Sequence, residues 1–141
     1  MFTKKFSKSF TQQEAIPQHG IDQALAILRS GRLHRYNTQG DEISETALLE
    51  KDYAAYQGAR YCVAVTSGGQ AIQIALRAAG LKAGDKILAN AYTLAPVPGA
   101  FYAVGALPVF VEIGDDWLTD IDDLREKAKQ SSAKFMMLSH M

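Results

Sequence analysis

Tyr61-Cys62-Val63-Ala64-Val65-Thr66-Ser67-Gly68-Gly69-Gln70-Ala71 is the stretch whose reading decides the fold. It opens on a short β-branched and apolar run, passes through two glycines, and enters a helical pattern. In that pattern Ile72, Ala75, Leu76 and Ala79 recur at helical spacing before Gly80 ends it. A strand, a tight turn and a helix in this order begin a βα unit, and in an open α/β sheet ligands bind at the carboxyl ends of the strands. The glycines let the backbone turn sharply and leave its amides unshielded. A helix N-terminus adds unpaired N–H groups and partial positive charge, which suit a phosphate. On residues alone an anion site and a plain βα turn are equally good readings. The turn has neither the G-x-G-x-x-G nor the G-K-[ST] pattern.

Working outward, the alternation continues. Lys86 to Ala89 reads as a strand after the Gly84-Asp85 turn, and Leu94 to Val104 as a helix with Pro96 and Pro98 in its first turn. Leu107 to Ile113 is a strand of mainly β-branched and aromatic residues. Ile121 to Lys129 is a helix after the loop at Asp115 and Asp116, and Lys134 to Leu138 is a last strand. Upstream, Gly20 to Arg29 reads as a helix with Ile21, Leu25 and Leu28 on one face. Residues 31–42 form a polar loop, and Ser44 caps a helix running to Tyr56, where Leu49, Tyr53 and Tyr56 share a face. Strands of low charge alternating with helices predict an α/β fold, a parallel sheet covered on both faces.

Composition narrows the function classes. The 141 residues carry fifteen basic and fifteen acidic side chains, so no basic footprint points to nucleic acid or to a membrane surface. Cys62 is the single cysteine and lies in an apolar run, which predicts a buried structural thiol and a reducing, cytoplasmic setting. The uncharged stretch from Ile87 to Val111 has the length of a membrane span. Its prolines and glycines divide it into strand, helix and strand, so it reads as the buried centre of a sheet. Residues 1–19 read as a flexible tail and 20–141 as the domain.

Two more segments stand at strand ends. Asn90-Ala91-Tyr92-Thr93-Leu94-Ala95-Pro96 is a second βα connection, on the same sheet edge as the first. Glu112, near the end of the Pro108–Ile113 run, offers a carboxylate that caps the next loop or faces a ligand. With these segments in view, four motifs stand in order: Gly58 to Gly69 (GARYCVAVTSGG), Ala79 to Leu88 (AGLKAGDKIL), Tyr92 to Ala95 (YTLA) and Gly105 to Ile113 (GALPVFVEI). Glu50, Tyr53 and Tyr56, and the AKFMMLSH run at 133–140, fit the same series. Together they resemble the N-terminal portion of the DegT/DnrJ/StrS-type sugar aminotransferases over about residues 20–141.

The resemblance implies the three-layer parallel sheet of the large domain of pyridoxal 5′-phosphate (PLP) transferases, the aspartate-aminotransferase-like fold, incomplete at the C-terminus. It implies that Ser67, Gly68, Gly69 and Gln70 hold the PLP phosphate through backbone amides, and that Leu94 packs on the pyridine ring. Family members have Ser-Gly-Thr where this chain has Ser67-Gly68-Gly69, an aromatic where it has Leu94, and Asp where it has Glu112. The aspartate that pairs with the pyridine nitrogen and the lysine that carries the cofactor covalently lie further along in the family. No catalytic residue is therefore expected within 1–141, none of the lysines matches the family's site, and the chain alone is expected to show no transaminase activity. His140 stands nearest the ligand edge, while His19 and His34 read as surface residues. A nucleotide-linked keto-sugar, glutamate as donor and a homodimer are the implied partners. The alternatives are a non-catalytic remnant, one half of a split protein, and an unrelated phosphate-binding α/β module.

Overall fold

Short-range signals set the helix ends in the computed structural model, which describes residues 7, 9, 11 and 13–140. The chain divides into two compact units, Met1–Ala64 and Val65–Met141. Of the tail expected over 1–19, residues 1–6, 8, 10 and 12 lie outside the described residues, and positions 18 and 19 belong to the first helix.

In the first unit, α1 (Gln18–Ser30) begins directly after Pro17 and ends at Gly31, whose φ of 69° is left-handed. The helix thus starts two residues before the expected Gly20. α2 (Glu45–Tyr56) starts where Ser44 Oγ accepts the Ala47 amide at 3.3 Å, a side-chain cap on an otherwise orphaned donor. Gln23 Nε2 donates to Glu45 at 2.9 Å and joins the two helices. Arg35 grips the Glu50 carboxylate with both arms, at 3.0 and 2.8 Å, and Glu50 also accepts the Ala64 amide at 2.8 Å. The guanidinium, and then the Ala64 amide, hold the Glu50 carboxyl below the usual carboxylate range. The apolar face expected on α1 is present; Leu49, Tyr53 and Tyr56 share a side of α2, but the apolar residues of that helix are not confined to it. However, Ile21, Leu25, Leu28, Leu49, Tyr53 and Tyr56 are all exposed, and Ala54 is the one buried hydrophobic residue among those described in this unit.

The run at Tyr61–Val65 departs from expectation: it is not a strand. Strand-forming side chains favour extended backbone, but a strand needs a neighbour to pair with. Among the described residues none pairs with this run, and the Ala64 N–H goes to Glu50 instead. Cys62 is consequently half-buried rather than enclosed.

The second unit contains α3 (Gly68–Ala78), β1 (Lys86–Asn90), α4 (Pro96–Val104), β2 (Leu107–Val111), α5 (Ile121–Ser131) and β3 (Phe135–Met137). The three strands are parallel in the order β2-β1-β3, with Leu88 opposite Val109 and Met136. β1 is central, and four of its five residues are buried. Ile87 and Ala89 face a cluster with Leu76, Val97, Phe101 and Val104 from α3 and α4, and Phe135 and Met137 pack against it. The alternate residue Leu88 is buried outside that cluster, and α5 packs on β1 and β2, so the sheet has helices on both faces. Pro108, which lacks a ladder donor, is tolerated because β2 lies at the edge of this sheet. The uncharged stretch divides into strand, helix and strand as expected. Among the described residues no helix is long and apolar enough to cross a membrane.

Candidate functional site

At the start of α3 the backbone of Ser67 is extended, with φ −161° and ψ 160°. Its Oγ accepts the Gln70 amide at 3.1 Å and its carbonyl accepts the Ala71 amide at 3.0 Å. The amides of Gly68 and Gly69 have no protein partner among the described residues. Of the four-residue turn that the sequence singles out, Gln70 is the one whose amide is already engaged; the Ser67 amide, like those of Gly68 and Gly69, has no protein partner among the described residues. Neither glycine adopts a positive φ. A Cβ at Gly68 would meet nothing within 4 Å, and one at Gly69 would lie 3.8 Å from Pro96 Cβ, an ordinary contact. The glycines therefore serve to keep the amides uncovered, not to permit a backbone that other residues cannot adopt.

That Gly69–Pro96 approach sets the first turns of α3 and α4 side by side, beyond the carboxyl end of β1. α4 contributes no free amide there. Pro96 and Pro98 have no N–H, Val97 donates to the Leu94 carbonyl at 2.9 Å, and Gly99 donates to the Ala95 carbonyl at 3.1 Å. The Leu94 and Ala95 amides, on the turn before α4, have no protein partner among the described residues. Leu94 lies on the turn before α4 with 61% of its surface exposed, so its side chain is open to a ligand.

The β1–α4 turn is tied to the end of β3. Asn90, only 5% exposed, donates through Nδ2 to the carbonyls of Tyr92 and Ser139, and its Oδ1 accepts the Ser139 amide at 2.9 Å. Thr93 Oγ1 and Ser139 Oγ lie 2.7 Å apart. Next to this clasp opens a cleft of about 350 Å3, lined by Asn90, Asp116, Trp117, Leu138, Ser139 and His140 among others. His140 is exposed on its wall, and His19 and His34 are exposed in the first unit. Trp117 holds φ at +65°, uncommon for a bulky side chain, and its ring meets Tyr92 with centroids 5.1 Å apart. Nothing in the spacing of the sequence announces the Asn90–Ser139 pairing or the Trp117 backbone, which arise from contacts across the fold.

Glu112 is placed differently from expectation. β2 ends at Val111, and the Glu112 side chain is exposed and makes no hydrogen bond among the described residues. Asp123 of α5 supplies the carboxylate at this strand end, accepting the Glu112 amide and the Lys127 ammonium, at 2.7 and 2.8 Å. The Lys127 contact, then the Glu112 amide, hold the Asp123 carboxyl low, and the same ion pair raises Lys127.

With this geometry in place, residues 16–141 match the model of the DegT/DnrJ/EryC1/StrS aminotransferase family. The chain belongs to that family. Among curated proteins it is 37% identical over 94 residues to a dTDP-3-amino-3,4,6-trideoxy-α-D-glucose transaminase of Micromonospora megalomicea subsp. nigra, across 66% of this chain and 25% of that one. It is 31% identical to the spore coat polysaccharide biosynthesis protein SpsC of Bacillus subtilis, across 80% of this chain and 27% of that one. A solved structure from Streptococcus pneumoniae, described as a sugar aminotransferase in its PLP form, superposes with a TM-score of 0.72 at 28% identity. It covers 88% of this chain and 30% of its own. The chain therefore spans under a third of the length of these relatives. The fold is that of the PLP-dependent aminotransferases, seen here as a small part with three strands of its sheet.

In family terms, Gly69 stands where a threonine is expected, and a Cβ there would make an ordinary 3.8 Å contact with Pro96. Gly69→Thr is expected to leave stability within about 0.5 kcal/mol, since threonine is the better helix residue of the two. It should also tighten phosphate binding severalfold through the added hydroxyl. Urea denaturation and phosphate titration check this, and a loss of stability above about 1 kcal/mol would show that Pro96 cannot accommodate the branch.

Proposed function

We propose that this chain carries the phosphate-binding part of a PLP-dependent aminotransferase acting on nucleotide-linked keto-sugars, with glutamate as amino donor. The single observation that carries the reading is the pair of unpartnered amides at Gly68 and Gly69, aimed from the N-terminus of α3 in a chain of this family. The donor set fits the group: two N–H donors with the positive end of a helix dipole match a phosphate dianion, and no Cβ closes the approach. Ser67 keeps the turn in place by capping Gln70, and exposed Leu94 offers an aliphatic surface on which a pyridine ring can rest. When bound, PLP supplies the electron sink for amino-group chemistry. This chain's own residues bind and orient it. The sugar class follows the relative that is named a dTDP-sugar transaminase. A homodimer belongs to the same reading, supported by the exposed apolar residues of α1 and α2, which need a cover.

Gly68→Pro tests it. The first helical position tolerates proline, and the extended Ser67 backbone suits a residue preceding one. The substitution removes one free donor of the turn and little else. Titration of the purified chain with PLP, inorganic phosphate and pyridoxal should show binding of the first two only. Gly68→Pro should weaken both by about 10–100-fold, the worth of one charge-assisted hydrogen bond. Unchanged affinity in that variant, or equal binding of pyridoxal, would sink the reading.

A further inference from the structure

Asn90 ends the central strand as a buried polar side chain, and three of its hydrogen bonds go to backbone that lies outside any strand or helix. The last ladder pair between β1 and β3 is Ala89 with Met137. Beyond it, the Asn90 side chain continues the pairing in place of backbone, its Oδ1 accepting the Ser139 N–H at 2.9 Å and its Nδ2 donating to the Ser139 carbonyl at 3.1 Å. A side-chain amide has both a donor and an acceptor, which here match the C=O and N–H of one residue. The same Nδ2 holds the Tyr92 carbonyl, and the Thr93–Ser139 hydroxyl pair adds a second tie. Two loops 46–49 residues apart in sequence are thereby made one unit. One loop leads into Leu94 and the other into His140.

We propose that Asn90 is a positioning residue for the ring side of the cofactor site. It fixes the Tyr92–Leu94 turn against the Ser139–His140 exit, so that Leu94 meets the pyridine ring at a set height above the α3 amides. The proposal rests on the cofactor reading given above. It assigns Asn90 no contact with the cofactor; the residue acts through the two loops. It also separates two parts of the site: the phosphate part depends on α3, to which the Asn90 side chain makes no hydrogen bond, while the ring part depends on the clasp.

Three variants of the full chain test this. Asn90→Leu removes all three bonds. Asn90→Asp keeps the acceptor for Ser139 but sets a carboxylate against two carbonyl oxygens, and burial there raises its pKa. The protonated form can again donate to one carbonyl, so the clasp of this variant returns in part as pH falls and is lost as pH rises through the raised value. Asp116 and His140 line the adjoining cleft and are the other titratable groups facing it, so each comparison is made with the unaltered chain at the same pH. At pH 8, Asn90→Leu and Asn90→Asp should bind PLP at least tenfold more weakly than the unaltered chain, with inorganic phosphate affinity within twofold. At pH 5.5 the Asp variant should recover severalfold while the Leu variant does not. Amide exchange at Ser139 should be at least tenfold faster in Asn90→Leu, with α4 protection retained. Thr93→Val, which removes only the hydroxyl pair, should weaken PLP binding about threefold. Failure of the underlying reading shows itself in the unaltered chain, which would then bind no PLP, and the exchange measurement still decides the clasp. Failure of this proposal shows itself in the variants, as PLP affinity within twofold of the unaltered chain, no difference between the Asp and Leu variants across pH, or unchanged exchange at Ser139.

Discussion

Replacing Phe101 with alanine is expected to destabilise the second unit by about 3–5 kcal/mol, the usual cost of emptying a buried aromatic site. Phe101 is fully buried on α4 and belongs to the cluster that joins α3 and α4 to Ile87 and Ala89 of the central strand. The helix itself would gain slightly, since alanine is the better helix former by some tenths of a kcal/mol, so the loss reports packing. Its neighbour Tyr102 is 89% exposed, and Tyr102→Ala should change stability by less than about 0.5 kcal/mol. Trp117, the single tryptophan, lies in the same unit and reports its unfolding in urea. If the Phe101 variant lost less than about 1.5 kcal/mol, the layer of α3 and α4 would not be the core that holds the site's two turns in place.

Gly105→Ala is expected to cost about 2–5 kcal/mol, for two separable reasons. Gly105 ends α4 in the left-handed region at φ 75°, with its N–H bonded back to the last turn and the Ala106 amide reaching the Phe101 carbonyl at 2.9 Å. A Cβ there carries the left-handed penalty of about 1–2 kcal/mol. It would also lie 2.8 Å from Ala83 Cβ and 3.2 Å from Ala83 Cα, so backbone must move, at about 1–3 kcal/mol. Gly80 ends α3 at φ 90° with nothing within 4 Å of its would-be Cβ. Gly80→Ala should therefore show the first cost alone, about 1–2 kcal/mol. Equal urea midpoints for the two variants would mean that the Ala83 contact yields freely.

The element order of the second unit was legible because its signals are local. Gly80 and Gly105 stop α3 and α4, Asp120 caps α5 through the amides of Asp122 and Asp123, and Pro96 sits in the first turn of α4. Each acts within about four residues. The candidate turn was legible for the same reason, since Ser67 caps Gln70 across three positions. Tyr61–Val65 shows where this way of reading fails: its composition says strand, yet pairing depends on a neighbour elsewhere in the chain, and its one identified amide partner is Glu50. Glu112 shows the same from the other side. A carboxylate near a strand end was visible in sequence, but Asp123, eleven residues on, is the one that meets the strand.

The sequence by itself determined the α/β class, the order of helices and strands in the second unit, and the family, and it singled out Ser67-Gly68-Gly69 as an expected anion turn. These follow from side-chain period, caps and motif order, which need no partner beyond the next turn of chain. Only the tertiary structure decided that Gly68 and Gly69, and not Gln70, keep free amides, that the first turn of α4 from Pro96 to Gly99 offers none, and that Asn90 fastens the Leu94 turn to Ser139. These depend on which backbone donors are already satisfied. A hydrogen bond across 49 residues is set by how the strands stack, not by the residues beside it.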